Sequence, residues 1–312
     1  MEKKMGKATR DAYGEVLIEI GRSNKNVVVL DADLSKSTKT AKFGETYPDR
    51  FFNVGIQEAN LVGVASGLAA CGKIPFISSF ATFLMSKGFD QMRMAVSFSE
   101  MNVKMVASHG GISIGEDGAS QMSIEDIALA ACLPGVAVMV PADENATRDL
   151  ISESVSYPHP VYIRTGRPKA AVIYPKTGSC KIGKANRLRE GKDLAIFANG
   201  LLVYEALAAA ETLASEGIQA SVLDLHTVKP LDEAAIVEEA RKTGRVLVAE
   251  EHQIWGGLGS AVARVLAEKQ PSKMEFVAIQ DTFAESGAPD EVMEKYGLTA
   301  AGILKAARKL LS

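Results

Sequence analysis

Cysteine is scarce in this chain, which has only Cys71, Cys132 and Cys180. An odd number of widely spaced thiols matches neither a disulfide framework nor paired zinc-ligand spacing, so reduced, packed side chains are expected. Histidine is almost as rare. His109, His159, His226 and His252 show no metal-ligand spacing between any pair, and no protein-only metal site is expected. An excess of one charge is also lacking: 35 Lys plus Arg face 38 Asp plus Glu, for a net charge of -3. That balance supplies no field for collecting nucleic acid or an anionic membrane, so any anionic ligand must be held locally. No apolar run reaches the roughly 18 residues that span a bilayer, and the N-terminal MEKKMGKATR has no apolar core of signal length. A cytoplasmic protein is expected.

What is present is a chain of 312 residues, 47% hydrophobic and 23% charged, enough for about two packed domains. Short Val/Ile-rich runs alternate with helical patterns, which predicts an α/β fold of mostly parallel sheets flanked by helices. In the first half the strand candidates are Val27 to Asp31, Ile74 to Ser78, Val103 to Ala107, Val136 to Val140 and Val161 to Arg164. Helical stretches lie near Glu58 to Ala70, Ser123 to Cys132 and Glu144 to Val155. A first domain over 1–175 is followed by PKTGSCKIGKANRLREGK, whose lack of periodicity suits a surface linker over 176–192. A second, smaller α/β domain over 193–312 has strand candidates Leu194 to Ala198, Ala220 to Leu225, Arg245 to Ala249 and Glu275 to Ile279. Its helices are expected near Leu201 to Ser215, Asp232 to Lys242, Ser260 to Glu268 and Thr299 to Leu310.

Several segments carry possible chemistry. In FFNVGIQEANLVGVASGLAACG, Glu58 stands where an extended run turns into a helix rich in small residues. It reads either as a solvated acid at a helix N-terminus or, given Val54, Ile56, Leu61 and Val62 around it, as a buried carboxyl suited to proton transfer. The small residues from Gly63 to Ala70 suit a close helix pair, a subunit interface or packing under the sheet. SHGGISIGEDGAS follows the candidate strand ending at Ala107, and ligands in open α/β sheets gather at the carboxyl ends of strands. Its glycines fit neither a P-loop nor a dinucleotide fingerprint. A looser G-x-G-x-x-x-A at Gly257, Gly259 and Ala263, with Asp281 beyond, resembles that fingerprint, although Glu250 to Gly256 separate it from the strand. Phe80, Phe83 and Phe89 read as core residues or as a stacking surface for a heteroaromatic ring.

Taken in order, these pieces resemble the C-terminal half of a transketolase, its pyrimidine-binding domain followed by its C-terminal domain. The resemblance rests on ATR at Arg10, DADLSKST from Asp31 to Thr38, VGIQEAN at Glu58, SSFATF at Phe83, SHGGISIGEDGAS at His109 and Asp117, YIRTGRP at Arg164, and the EEHQIWGGLGS turn. It spans nearly the whole chain. The Gly-Asp-Gly magnesium motif of the family's diphosphate-binding domain is missing from this sequence. The resemblance therefore implies the C-terminal subunit of a split transketolase, with an N-terminal partner subunit holding most contacts to thiamine diphosphate and Mg2+. Two pyrimidine subunits would pair within an α2β2 heterotetramer. The reaction implied is transfer of a two-carbon ketol unit from a ketose phosphate to an aldose phosphate.

The same resemblance assigns roles. Glu58 and His109 would be catalytic, with Glu58 hydrogen-bonding a ring nitrogen of the aminopyrimidine. Phe83 and Phe89 would line the cofactor site and Asp33 would support its cleft. Asp117 would read the donor hydroxyl beside the carbonyl, while Arg10, Ser37, His109 and Arg164 would hold the substrate phosphate. Many single-chain members have His where this chain has Gln121, which is expected to face the donor's terminal hydroxyl without ionising near neutrality. The rival readings are a 2-oxo acid dehydrogenase beta subunit, a deoxyxylulose phosphate synthase fragment, and a non-catalytic nucleotide-binding or scaffold protein using the Gly257 turn. Phosphate-binding arginines with His109 and Asp117 have little use in the first of these, and pyruvate dependence would mark the second.

Overall fold

A computed structural model describes residues 3–312. Its first unit contributes strands β1 (Met5–Ala8), β2 (Val27–Asp31), β3 (Phe51–Asn53), β4 (Ile74–Ser78), β5 (Lys104–Ala107), β6 (Ala137–Met139), β7 (Val161–Arg164) and β8 (Lys169–Ala171). The second adds β9 (Asn186–Arg189), β10 (Leu194–Ala198), β11 (Ala220–Asp224), β12 (Thr227–Lys229), β13 (Arg245–Gln253) and β14 (Lys273–Ile279). Strands β2, β4, β7 and β10 have the bounds the Val/Ile runs predict. All five residues of β2 and of β10 are buried, as expected of parallel strands covered on both faces.

Six strands of the seven-stranded sheet, in the order β6-β7-β5-β4-β2-β3, come from the first unit and run parallel. The seventh is β12, which leaves the second unit and pairs antiparallel with β6, Thr227 opposite Met139. The five-stranded sheet has the order β14-β13-β10-β11-β9. Its β9 lies inside the stretch expected to be a linker and pairs antiparallel with β11, which corrects that expectation. The cations of that stretch carry the strand on an edge: Arg187 reaches Glu238 and the buried Glu239.

Two further differences shape the site. A helix, Thr9–Ser23, was not among the sequence expectations, yet Ala12, Tyr13, Val16, Leu17 and Ile20 bury one face of it at helical spacing. The helix expected from Ser123 starts only at Asp126, because the Ser123 carbonyl turns aside to accept from Gly111 N–H at 2.7 Å and from Arg164 Nη2 at 3.2 Å. The cysteines are free, as expected, but only Cys180 is packed while Cys71 and Cys132 are exposed. Among the described residues no helix is long and apolar enough to cross a membrane.

Candidate functional site

Four neighbouring strands, β2, β4, β5 and β7, direct their carboxyl ends to one edge of the sheet, where parallel sheets place their ligands. At the end of β2 the buried Asp31 carboxylate accepts from Leu34 N–H and Thr38 Oγ1, both at 2.6 Å, and from Thr40 Oγ1 at 2.8 Å. Those bonds fold the turn that carries Asp33, Ser37 and Lys39. Burial raises the Asp31 carboxyl above its ordinary value, against the pull of those donors. Strands β4 and β5 continue into Ser79–Phe80 and Ser108–His109. The two extensions are tied by Ser108 N–H to the Ser79 carbonyl at 3.1 Å and by Ala81 N–H to the Ser108 carbonyl at 2.7 Å.

Glu58 opens the helix Glu58–Ala70 and is buried, accepting a hydrogen bond from Ser79 Oγ at 2.9 Å. The structure thus selects the buried reading of this carboxyl over the solvated one, although Ile56 beside it points to solvent. Phe80, the residue after Ser79, stacks on Phe83 with centroids 5.6 Å apart and planes inclined by 10°. Its ring also stacks on His109 at 3.7 Å. A carboxyl, two phenyl rings and an imidazole are therefore joined contact by contact along one strand edge. Phe89 does not join that stack; it packs against the apolar core that includes Leu61 and Val62.

His109 has a left-handed backbone, φ 61°, and a buried ring. Its Nε2 lies 3.0 Å from Arg10 Nη1 and its Nδ1 2.7 Å from Ser108 Oγ. A guanidinium only donates, so Nε2 accepts and the ring proton sits on Nδ1, facing the serine oxygen. Burial first, then the charges of Arg10, Arg167 and Lys39, push the imidazole down to about 3. His109 is accordingly neutral over the physiological range. Arg10 Nη1 also donates to the Ser37 carbonyl at 3.1 Å, while its buried Nε has no hydrogen-bond partner. A buried guanidinium N–H without an acceptor is a place where an anionic ligand would gain.

Arg164, expected to hold the substrate phosphate, ends β7 but turns its guanidinium to other partners. Arg164 is 5% exposed and donates from Nε to Asp126 Oδ2 at 2.8 Å, from Nη2 to Asp126 Oδ1 and the Ser123 carbonyl, and from Nη1 to the Glu251 carbonyl at 2.5 Å. Burial opposes the charge of Asp126, yet Arg164 holds that carboxyl below its ordinary value. Arg164 is a buried strut between the two units and has little left to offer a phosphate. The cation nearer the cleft is Arg167, half-buried three residues on, whose Nη1 donates to the Ile114 carbonyl at 2.6 Å and to Glu116 at 2.9 Å and lies 3.9 Å from Asp117 Oδ2. Both arginines stand in IRTGRP, and strand alternation alone does not say which one turns inward. Lys39, paired with Asp11 at 3.1 Å, completes the positive set.

Asp117 lies exposed on a short 3₁₀ turn, Gly115–Asp117, and Gln121 is half-buried just past it, its N–H bonded to the Gly118 carbonyl. Asp33 is exposed at φ 66° and accepts from Asn53 Nδ2 at 2.9 Å. The rival nucleotide site in the second unit is closed. Glu250 is buried against the N-terminus of the helix Leu258–Lys269, its carboxylate accepting from Leu258 N–H at 2.7 Å and Gly259 N–H at 2.8 Å. The chain's own carboxylate takes the position a pyrophosphate would need. Among the described residues no group of three or more His, Cys, Asp and Glu is placed to hold a metal ion.

Comparison with known proteins accords with this geometry. Residues 5–172 match the family described as transketolase, pyrimidine binding domain, and residues 183–303 match transketolase, C-terminal domain. The chain is 43% identical over 301 residues to a 6-deoxy-6-sulfo-D-fructose transketolase subunit from Clostridium sp. (strain MSTE9), covering 96% of this chain and 94% of that one. It is 43% identical over 302 residues to a putative transketolase C-terminal section from Methanocaldococcus jannaschii, covering 96% and 95%. Among solved structures, a split-gene transketolase described as an inactive beta4 tetramer superimposes with a TM-score of 0.92 at 47% identity, over 98% of this chain and 99% of that one. The chain belongs to the transketolase family, as a C-terminal-type subunit that carries the pyrimidine-binding and C-terminal domains.

Proposed function

We propose that this subunit works with a separate N-terminal transketolase subunit to move a two-carbon ketol unit from a ketose bearing a terminal anion to an aldose phosphate. The observation that carries this is the single strand edge on which buried Glu58, the Phe80–Phe83 pair and the Arg10–His109 pair meet. A buried carboxyl beside stacked aromatic rings fits an aminopyrimidine, since one edge of that ring is hydrogen-bonded while its face is covered. When bound, thiamine diphosphate supplies a nucleophilic carbon for making and breaking bonds next to a carbonyl. Glu58 holds a proton at the ring nitrogen, and Phe83 orients the pyrimidine. Asp33 supports the turn at the cleft's edge. Mg2+ and the diphosphate are assigned to the partner subunit.

At the sugar end, Asp117 accepts from the donor hydroxyl beside the carbonyl and Gln121 meets the terminal hydroxyl. Arg10, Arg167 and neutral His109 bind the anionic terminus, with Ser37 on the turn beside Arg10. The Clostridium relative is described as acting on a sulfonated ketose, so a sulfonate and a phosphate are both candidates for that terminus. Exposed Phe52, Ile56, Val64, Met94 and Phe98 lie on or near the segments that carry Glu58, and Ser66 Oγ ties its helix to the Ala95 carbonyl at 2.6 Å. Apolar side chains left open in this way suit cover by another polypeptide, here a second pyrimidine subunit and the N-terminal partner in an α2β2 assembly. The test is reconstitution: the purified chain should be inactive alone and gain activity on mixing with the partner co-purified from its native source. Parallel assays with phosphorylated and sulfonated ketoses assign the donor. Turnover by this chain free of any other would sink the proposal.

A further inference from the structure

The loop that carries His109 and Asp117 is held from behind by the second domain, through a carboxylate outside every role assigned above. Glu251, near the end of β13, is buried, and its Oε1 accepts from the Ser113 N–H at 2.6 Å. The loop backbone presses on it: at Gly111, φ +82°, an added Cβ would lie 2.2 Å from the Glu251 Cδ. Gly111 N–H is anchored on the opposite side by the Ser123 carbonyl at 2.7 Å. Arg164 fixes the backbone of Glu251 itself, donating to its carbonyl. Farther along the loop, Gly115 sits against Pro289 and Gly118 against Ser286, so the turn bearing Asp117 also rests on the second domain. Loops hold a reacting geometry only when packed and hydrogen-bonded from behind, and a carboxylate accepting a backbone N–H is among the stronger such bonds.

We propose that Glu251 is a positioning residue, by which the C-terminal domain holds the loop 110–118 in the shape that presents His109 and Asp117 to the donor. This rests on the reading of that loop as donor-binding. An amide of the same shape also carries an oxygen acceptor, so Glu251→Gln keeps the bond from Ser113 N–H.

The experiment has two readouts on Glu251→Ala and Glu251→Gln. Hydrogen exchange on the full chain should show amides 110–118 exchanging about 10-fold faster in Glu251→Ala, from loss of a charged hydrogen bond. The strands of both sheets should stay protected. In the reconstituted two-chain enzyme the same variant should raise the donor KM about 10-fold, with kcat and the acceptor KM within about twofold, and Glu251→Gln should restore the donor KM. Unchanged exchange in that loop overturns the brace, as does a Gln variant as impaired as Ala. A loosened loop with an unaltered donor KM overturns instead the donor-binding role on which the proposal rests.

Discussion

The two arginines of IRTGRP should respond to substitution in opposite ways. Arg164 spends its guanidinium on buried Asp126 and on the Ser123 and Glu251 carbonyls, so Arg164→Ala strands a fully buried carboxylate. Breaking one partner of such a pair costs about 3 to 5 kcal/mol. For a chain of this size that lowers Tm by about 5 to 8 °C. Arg167 is half-buried and pairs with exposed Glu116 at 2.9 Å, so Arg167→Ala should change stability by less than about 1 kcal/mol. It should instead remove a charged hydrogen bond to the substrate's anionic end, weakening phosphorylated substrates about 10- to 150-fold relative to matched free sugars. The assays are thermal melts of the single chain and kcat/KM ratios for the reconstituted pair with phosphorylated and free sugars. Replacing Arg164 and Asp126 together by apolar residues of similar volume should recover much of the lost stability. The reasoning fails if Arg164→Ala keeps the wild-type Tm while selectively losing phosphorylated substrates, or if Arg167→Ala weakens both sugar classes equally.

Glu58→Gln should leave assembly intact and lower turnover about 100-fold or more, with slower exchange of the cofactor's thiazolium proton; exchange at the wild-type rate would reduce Glu58 to a packing residue. Gln121→His should introduce a pH dependence of donor kinetics near neutrality, and Gln121→Ala should weaken donors bearing the terminal hydroxyl by about 0.5 to 1.5 kcal/mol. Wild-type pH profiles in both variants would place Gln121 away from the donor. Buried Lys104 donates to the Tyr157 and His159 carbonyls at 2.6 and 2.9 Å, and burial pushes its ammonium down to about 7. Unfolded, the same group titrates near 10.4, so the unfolded chain binds more protons between those values and stability should rise with pH across that window. Urea midpoints should show this slope in wild type and lose it in Lys104→Met; parallel slopes in the two proteins would contradict it.

The strands were most legible where burial on both faces leaves an unbroken Val/Ile run, as in β2 and β10. The motif order located the carboxyl, the rings and the site loop, because each lies within a few residues of a strand end. What escaped depends on pairings distant in sequence. The inward turn of Arg164 depends on Asp126, 38 positions earlier, and nothing in YIRTGRP records that. The role of Glu251 depends on Ser113, 138 positions away. Short β9 and β12 have three or four residues each, too few for alternation to show. By contrast, the helix Thr9–Ser23 was readable in the spacing of Tyr13, Val16, Leu17 and Ile20, and its expectation would have placed Arg10 on the helix's first turn.

The strand that crosses from the second unit to seal β6 also bears on how the chain matures. Until residue 229 has been made and returned, the growing sheet offers β6 as an open edge of unpaired amides and carbonyls, the kind of template that recruits foreign strands. Lys229, at the end of that strand, then locks the closure by donating to the Ala131 and Leu133 carbonyls at the C-terminal end of the helix Asp126–Cys132. A fragment cut at the apparent boundary near 175 would therefore expose a ragged flank and be prone to aggregation, so dissection of the two halves calls for supplying residues 227–229 in trans or as a grafted extension.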